Sequence, residues 1–501
     1  MDRPKISHVE ERFDRVRRTL GLFVGPALFL ILLALPMPSL TSEGRRLAAV
    51  LSWVLVYWVS EAIPIPATAL LGPVLAILLG IGEPSAVLAP FAHPIVFLFI
   101  GSFLVAEGMI VHRLNERIAL TVLSVRWLVA RPRRLALAMG LIPLSISMWI
   151  SDSATTAMIY PILLGIIATF RVGDERSGGR RFETGLLLTI SYAALIGGTG
   201  TPVGTPPNLI GLGMLEKLAG VRIFFFQWML LAVPILLVLA GCMFAVMSLL
   251  FPAGRLDAGP IGERVRERRR DLGPWSRGEK NALAAFLVAV GLWVTPGLVA
   301  SVAGPGSDLY KACERHIPEG VASLIAALLL FFLPTDWKAR KFTLSWSEAA
   351  RIDWGTILLF GGGLSLGALS FSTGLADALG RGVVTWSGVS SVWGLTAVSV
   401  ALAIVLTEMT SNTATASMLV PIVIALAGTL SVAPAPPVIG VCLGASMAFM
   451  LPVSTPSNAI VYGSGRVPIT SMLRAGVLLD ALSFIVILAG LRVLCPLLGL
   501  A

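Results

Sequence analysis

Charged side chains are scarce in this chain. Only 13% of its 501 residues are Asp, Glu, Lys or Arg, whereas 56% are hydrophobic, and its mean hydropathy is +0.86. A soluble globular domain of this size does not need so many apolar residues for its core. Apolar stretches of about 20 residues, long enough to span a bilayer, recur about eleven times. We therefore predict an all-α polytopic membrane protein with about eleven transmembrane helices.

Cysteine and histidine are also rare, at four residues each. The cysteines lack metal-ligand spacing, and the histidines are dispersed along the sequence. No nucleophile with a nearby base and no metal cluster can be recognised, so the sequence does not predict an enzyme.

The net charge of +10 comes from basic residues scattered over short loops, which does not favour a nucleic-acid partner. Arginines and lysines concentrate in the N-terminal segment, in residues 252–280 and at residues 338–341. Because cytoplasmic loops carry an excess of Lys and Arg, we expect these segments, and the N-terminus, on the cytoplasmic side. A bacterial cytoplasmic (inner) membrane is the expected location.

Two short stretches resemble each other. Residues 151–162 read SDSATTAMIYPI and residues 411–422 read SNTATASMLVPI, with six of twelve positions identical. Small hydroxyl and amide residues at membrane depth are tolerated where they line a cavity. Interruptions at corresponding positions of two halves point to the binding site of a transporter.

The similarity extends in both directions. Downstream of the two motifs, residues 202–208 (PVGTPPN) match residues 452–458 (PVSTPSN). Upstream, the glycine-containing segment 96–104 corresponds to segment 357–365. We expect both of these upstream segments to be re-entrant hairpins. Several arginines follow segment 96–104, whereas few follow segment 357–365. The equivalent parts of the two halves are therefore expected to face opposite sides of the membrane, which is the arrangement of an inverted-topology repeat. We expect an N-terminal segment and first helix at 1–45, repeats at 46–251 and 281–501, and a cytoplasmic linker at 252–280.

The residues at the two interruptions suit an anion and a small cation. Helices that begin near Ser153 and Thr413 would direct N–H groups and positive dipole ends at the cavity. Hydroxyl and amide donors come from Ser153, Thr205, Asn412, Thr413 and Thr455, and no Lys or Arg lies in these motifs. Freed carbonyls, with the oxygens of Ser147, Ser151, Thr407 and Thr410, are the hard ligands that Na⁺ prefers.

The paired motifs, the two Thr-Pro loops and the segment 58–64 (WVSEAIP) resemble the divalent anion/sodium symporter family, which carries dicarboxylates, citrate or sulfate. The resemblance covers residues from about 53 to the C-terminus. It implies a homodimer whose rigid scaffold domains form the contact between the subunits, while the transport domains move in an elevator-type motion. It implies substrate contacts at Ser151, Asp152, Ser153, Thr205, Pro206, Ser411, Asn412, Thr413, Thr455 and Pro456. It also implies sodium sites at Ser147, Ser151, Asp152 and Gly204, and at Thr407, Thr410, Asn412 and Ser454.

Asp152 departs from the family pattern, which has Asn at this position. At an effective dielectric of about 20, a charge about 5 Å from a substrate carboxylate costs on the order of 3 kcal/mol. Asp152 would avoid this cost by binding a cation or by being protonated when substrate binds. If Asp152 is protonated, H⁺ would replace or compete with Na⁺ at the first site, while the second site would still bind Na⁺. A sodium-independent exchanger is a third alternative.

The sequence predicts a cation-coupled carrier of dicarboxylates of the succinate, malate and fumarate class. A citrate or sulfate carrier of the same family and, from another class, an anion channel are the alternatives. The roles of Glu61, Glu107, Glu408 and Asp480 stay open; Glu61 is expected to pair within the bundle, and His93 to lie at an interface.

The substitution Asp152→Asn tests the proton hypothesis. If the carboxyl group is protonated during transport, the pH dependence of transport disappears in the variant, because an amide does not titrate in this range. Transport measured over a pH series in wild type and variant decides the question, and an unchanged pH dependence would remove the hypothesis.

Overall fold

The structure, a computed structural model, describes residues 8–38, 40–129, 131–168, 179–253, 259–304, 307–387 and 389–501. These residues form α-helices joined by turns, together with one short antiparallel β-hairpin. The all-α architecture predicted from composition is confirmed. The predicted N-terminal segment and linker lie partly outside the described residues, at 1–7 and 254–258.

Before the linker the chain forms twelve described α-helices and one 3₁₀ helix at Ala89–Ala92. The α-helices are α1 (His8–Ala34), α2 (Ser42–Ser60), α3 (Ile65–Leu78), α4 (Pro84–Leu88), α5 (Pro94–Val111), α6 (Leu114–Leu123), α7 (Arg126–Val129), α8 (Pro132–Ser147), α9 (Asp152–Ile167), α10 (Gly179–Gly198), α11 (Pro206–Ala219) and α12 (Phe225–Leu250).

The linker contributes α13 (Gly259–Asp271), and α14 already begins within the predicted linker, at Arg277. The remaining elements are α14 (Arg277–Ala303), α15 (Asp308–His316), α16 (Glu319–Phe332), β1 (Pro334–Asp336), β2 (Lys341–Phe342), α17 (Trp346–Ala349), α18 (Trp354–Ser372), α19 (Leu375–Ser387), α20 (Val392–Met409), α21 (Asn412–Leu430), α22 (Ala435–Ala445), α23 (Pro456–Tyr462) and α24 (Ile469–Leu497).

Many of these helices have the length and composition of membrane spans. Within the described ranges, eight helical segments are long and apolar enough to cross a membrane. Four shorter apolar helices, α3, α9, α16 and α22, accompany them. The protein is therefore an integral membrane protein with many spans. Of the four shorter helices, α9 begins at the first polar motif, and α22 ends shortly before the second Thr-Pro loop.

The prediction that segments 96–104 and 357–365 are re-entrant hairpins was wrong, because both lie inside the uninterrupted helices α5 and α18. Their glycines permit close helix packing instead. A Cβ on Gly101 would lie 2.4 Å from the Ser323 Cβ of α16, and one on Gly362 would lie 2.2 Å from the carbonyl oxygen of Ala69 in α3. Small residues at such crossings let helix backbones approach each other in membranes.

The chain breaks instead at the paired polar motifs. Turns separate α8 from α9 and α20 from α21, and α8 packs on α9 as α20 packs on α21. The packing is also reciprocal between the two halves, since α11 contacts α21 and α23 contacts α9. The helix pairs α5–α16 and α3–α18 each join one helix from before the linker to one from after it.

The arginine-rich segment after α5 and the linker lie on the same face of the protein. The Arg117 guanidinium pairs with the buried Glu279 carboxylate at 2.5 Å and also donates to the carbonyl of Gly273. On the same face, the Asn281 amide donates to the Thr343 hydroxyl, which follows the β-hairpin. The basic clusters at 113–134, 264–280 and 338–341 are therefore neighbours.

Candidate binding site

The two polar motifs each begin a helix. Ser151 is the N-cap of α9 and Ser411 is the N-cap of α21; their hydroxyls accept hydrogen bonds from the N–H groups of Ala154 (3.4 Å) and Ala414 (3.2 Å). Their backbone angles are similar, with φ −52° and ψ 144° for the first and φ −69° and ψ 144° for the second. Both motifs therefore begin a helix with similar cap geometry, and each places the positive end of a helix dipole at the motif.

The two Thr-Pro loops also end in helix starts with matching geometry. Thr205 caps α11 with φ −145° and ψ 142°, and Thr455 caps α23 with φ −143° and ψ 149°. A proline follows each threonine, in the first helical position where no N–H donor is needed. The Thr455 hydroxyl accepts from the N–H of Asn458 (3.2 Å), whereas the side chain of Thr205 makes no capping bond to its helix.

All four helix starts face one cavity of about 370 Å³. Every residue for which the sequence predicted a substrate contact lines it. These residues are Ser151, Asp152, Ser153, Thr205, Pro206, Ser411, Asn412, Thr413, Thr455 and Pro456. Ser454, predicted as a cation ligand, lines the cavity too. Ser147, Gly204, Thr407 and Thr410 do not line it, and they are buried.

The sequence did not predict the opposite wall, which is formed by the beginnings of α3 and α18. This wall contains Ile65, Pro66, Asp353, Gly355, Thr356 and Leu359. The carboxylate of Asp353 caps α18, accepting from the N–H (3.1 Å) and the hydroxyl (2.5 Å) of Thr356. The pattern Asp-x-x-Thr before an apolar run was a readable N-cap signal, but nothing in it indicated a cavity.

The ionisable side chains of the cavity lining are acidic. Among the described residues, the lining contains the carboxyl groups of Asp152 and Asp353 and no Lys, Arg or His. Helix N-termini supply only partial positive charge, roughly half an elementary charge each. An anion in this cavity therefore needs cations close by.

Asp152 and Asn412 occupy equivalent positions but make different contacts. One carboxylate oxygen of Asp152 accepts from the N–H (2.8 Å) and the hydroxyl (3.3 Å) of Ser153. The side-chain oxygen of Asn412 accepts from the Thr407 hydroxyl at 2.7 Å instead. The Asn412 amide is thus joined to the end of α20, whereas these two bonds of the Asp152 carboxylate are made within its own helix start.

Behind the first motif, backbone oxygens converge at Gly204. A Cβ on this glycine would lie 2.5 Å from the carbonyl oxygen of Gly198, 2.8 Å from that of Ser147 and 2.9 Å from that of Met148. The hydroxyl of Ser147 is buried and has no hydrogen-bond partner among the described residues. Three carbonyls and an unpartnered hydroxyl are hard oxygen donors, which fit an alkali cation.

The equivalent position behind the second motif is richer in side-chain oxygens. The Thr407 hydroxyl donates to the carbonyl oxygen of Ala445 at 2.6 Å, and the hydroxyl groups of Thr410 and Thr415 are hydrogen-bonded to each other at 2.8 Å. Ser454 stands where the first half has Gly204, and its hydroxyl donates to the carbonyl of Leu451 at 2.6 Å. This donor set also consists of oxygens alone.

Two residues noted in the sequence lie at helix ends. Glu61 ends α2 in the left-handed conformation, at φ 50°, and pairs with Arg17 (3.5 Å) and Arg18 (3.4 Å). Glu61 is therefore paired with two arginines of α1. His93 is the N-cap of α5 and accepts from the N–H of Ile95.

Comparison with known proteins identifies relatives over almost the whole chain. The sodium-dependent dicarboxylate transporter SdcS of Staphylococcus saprophyticus is 33% identical over 494 residues, covering 97% of this chain and 93% of the relative. SdcS of Staphylococcus aureus (strain bovine RF122) is 32% identical over 478 residues, covering 94% and 89%. These relatives are named as transporters, which agrees with the expectation that the chain is not an enzyme.

A solved structure shares the fold. The YdaH transporter of Alcanivorax borkumensis, described as having an unusual topology, matches with a TM-score of 0.50 over 83% of this chain and 87% of that chain, at 14% sequence identity. The likeness concerns the fold alone. The family described as sodium:sulfate symporter transmembrane region matches residues 17–500. The chain therefore belongs to this family of divalent anion/sodium symporters, as its paired motifs predicted.

Proposed function

We propose that this protein is a secondary carrier that moves dicarboxylates of the succinate, malate and fumarate class together with Na⁺. The observation that carries the proposal is the cavity, in which four helix starts and neutral donors face one space while oxygen clusters lie directly behind it. The two named relatives are sodium-dependent dicarboxylate transporters.

The substrate carboxylates would be held by neutral donors. The hydroxyls of Ser153, Thr205 and Thr413, the Asn412 amide and the exposed N–H groups of the helix starts can all donate to a carboxylate. A carboxylate held without a Lys or Arg is released more easily than one in a salt bridge, because charge-assisted pairs are stronger. A carrier needs such release in every cycle.

Sodium would bind in the two oxygen clusters. The first would use the carbonyls around Gly204 with Ser147, Ser151 and Asp152, and the second would use Thr407, Thr410, Asn412 and Ser454. Cations at these positions would offset the negative charge of the cavity lining before a dianion enters it. At Asp152 a proton would serve the same purpose, so the first site is where H⁺ would compete with Na⁺.

The motion proposed is an elevator-type displacement of one group of helices against another. The cavity is lined by the starts of α9, α11, α21 and α23 and also by those of α3 and α18. The reciprocal contacts of α11 with α21 and of α23 with α9 are those expected of two halves related by a pseudo-two-fold axis. We propose that α3 and α18 belong to a dimeric scaffold and that the other four helices move.

The proposed orientation places the linker and the N-terminus in the cytoplasm of a bacterial cell, with the protein in the inner membrane. The support is the common face of the basic clusters at 113–134, 264–280 and 338–341, since positive charge accumulates on the cytoplasmic side.

Uptake of radiolabelled succinate into proteoliposomes tests the function. We expect an inward Na⁺ gradient to drive succinate into empty vesicles, because the described residues that line the cavity include no positively charged side chain. Vesicles with a choline gradient in place of Na⁺ are the control. Uptake that requires internal dicarboxylate would mean exchange, and uptake that follows the pH gradient alone would mean proton coupling at Asp152. No succinate uptake under any gradient would contradict the proposal.

Gly204→Ala tests the first cation site. The added methyl group would occupy the space on which the carbonyls of Ser147, Met148 and Gly198 converge. Overpacking costs about 1–3 kcal/mol, so we expect roughly a 5- to 150-fold loss of apparent Na⁺ affinity. The measurement is the Na⁺-dependent rise in the Tm of the purified protein. Gly165→Ala is the matched control, because nothing lies within 4 Å of a Cβ there. Equal Na⁺ responses in the two variants would contradict a cation site at Gly204.

A further inference from the structure

An apolar groove lies between α8, α10 and α12 and is separate from the binding cavity. It has a volume of about 460 Å³, and its walls include Leu137, Phe182, Leu186, Phe244, Met247 and Leu249. Leu249 is 80% exposed, so this wall is open to the outside of the helix bundle. None of the residues that line the groove lines the binding cavity.

A basic cleft adjoins the groove. It has a volume of about 190 Å³ and is lined by Arg180 and Arg181 at the start of α10 and by Arg474 near the start of α24. Phe251, the residue that follows α12, lines both the groove and the cleft. The two spaces are therefore neighbours, one of them mainly apolar and the other positively charged.

A fourth arginine lies at the groove itself. Arg133, in the first turn of α8, lines the groove and is exposed. Its neighbour Arg134 lies over the ring of Trp127, at 4.2 Å from the ring centroid, and this tryptophan is exposed too. Tryptophan is enriched at the level of the lipid headgroups in membrane proteins. We therefore expect this end of the groove at the membrane surface.

The four arginines are available to an anion. Neither Arg133, Arg180, Arg181 nor Arg474 forms an ion pair with a described residue. No acidic side chain from the described part of the chain lines the groove or the cleft. Glu183, which is close to Arg181 in sequence, pairs with Arg466 at 3.0 Å instead.

The groove and the cleft together fit a molecule that has a negative head and an apolar chain. A free phosphate ion would fill the cleft and leave the groove empty, whereas an uncharged apolar molecule would leave the arginines without a counter-charge. We propose that an anionic phospholipid binds here, with its phosphate at Arg180, Arg181 and Arg474 and an acyl chain in the groove. Basic pockets between membrane helices bind lipid headgroups through the same attraction.

The proposed lipid would contact helices that lead to the binding cavity. The helix α8 ends at Ser147, four residues before Ser151, and α10 continues through its loop to Thr205. These are the helices that precede the first polar motif and the first Thr-Pro loop. The lipid site itself does not rest on the proposed transport function, because its groups are separate from those of the cavity.

Titration of the purified full chain in detergent with phosphatidylglycerol tests the site, with native mass spectrometry as the measurement. We expect tighter binding of phosphatidylglycerol than of phosphatidylcholine with the same acyl chains, because the phosphatidylcholine headgroup has no net charge. Each arginine beside an anionic lipid strengthens binding roughly fivefold. The variant Arg180→Gln/Arg181→Gln/Arg474→Gln should therefore bind phosphatidylglycerol about 100-fold more weakly than wild type.

The matched control is Arg266→Gln/Arg270→Gln/Arg277→Gln. It removes the same positive charge from exposed positions of α13 and α14 that line neither the groove nor the cleft, and it should keep the affinity of wild type. A second variant, Ala136→Trp, places an indole ring in the groove and leaves every arginine in place. It should also weaken the binding of long-chain phosphatidylglycerol. Tm and the size-exclusion profile show that each variant is folded.

Three further outcomes decide between the lipid and other occupants. Inorganic phosphate at equal concentration should not displace phosphatidylglycerol, because it has no chain for the groove. Displacement by phosphate would mean a site for a free anion, and lipid bound to monomers but not to dimers would mean that a second copy covers the groove. Either result, equal binding of the two lipids, or equal losses in the two triple variants would overturn the proposal.

Discussion

The balance of charge around the cavity limits what the cavity can bind. Asp152 and Asp353 contribute carboxyl groups to the lining, and among its residues in the described structure there is no Lys, Arg or His. A dianion could not enter such a space against uncompensated carboxylates, since at an effective dielectric of about 20 each close pair of like charges costs several kcal/mol. Cations or protons have to accompany it. In this account, coupling follows from the composition of the site.

The backbone supplies most of what the site uses. Helix breaks expose N–H groups toward the cavity and carbonyl groups behind it, so in the proposed carrier one interruption would serve both an anion and a cation. Gly204 is where this arrangement is tightest, because three carbonyl oxygens occupy the space that any side chain would need. At the corresponding positions the second half has the Thr407 hydroxyl and the buried Glu408 carboxylate. The two halves therefore differ in the groups around their loops, although their helix starts have similar geometry.

The sequence predicted the membrane class, the family and the residues gathered around the cavity, because each of these depends on local patterns. The high share of apolar residues identifies a membrane protein, and the motifs around Ser151 and Ser411 are recognisable as copies of each other. The hairpins were misplaced because a glycine such as Gly362 reads equally well as a break and as a close helix contact, and only the neighbouring Ala69 backbone decides between them. Asp353 could not be placed at the cavity and Asp480 could not be placed beside the α22–α23 loop, since only the tertiary packing of their helices brings them there.

Calorimetric titration of the purified protein with succinate, in NaCl and in choline chloride at alkaline pH, shows whether succinate binding requires Na⁺. We expect measurable succinate binding in NaCl and none in choline chloride, because without Na⁺ or a proton the carboxylate of Asp152 remains uncompensated. Succinate binding of equal affinity in the two salts would contradict this expectation, since a cavity that binds a dianion without accompanying cations would not depend on the charge balance described above.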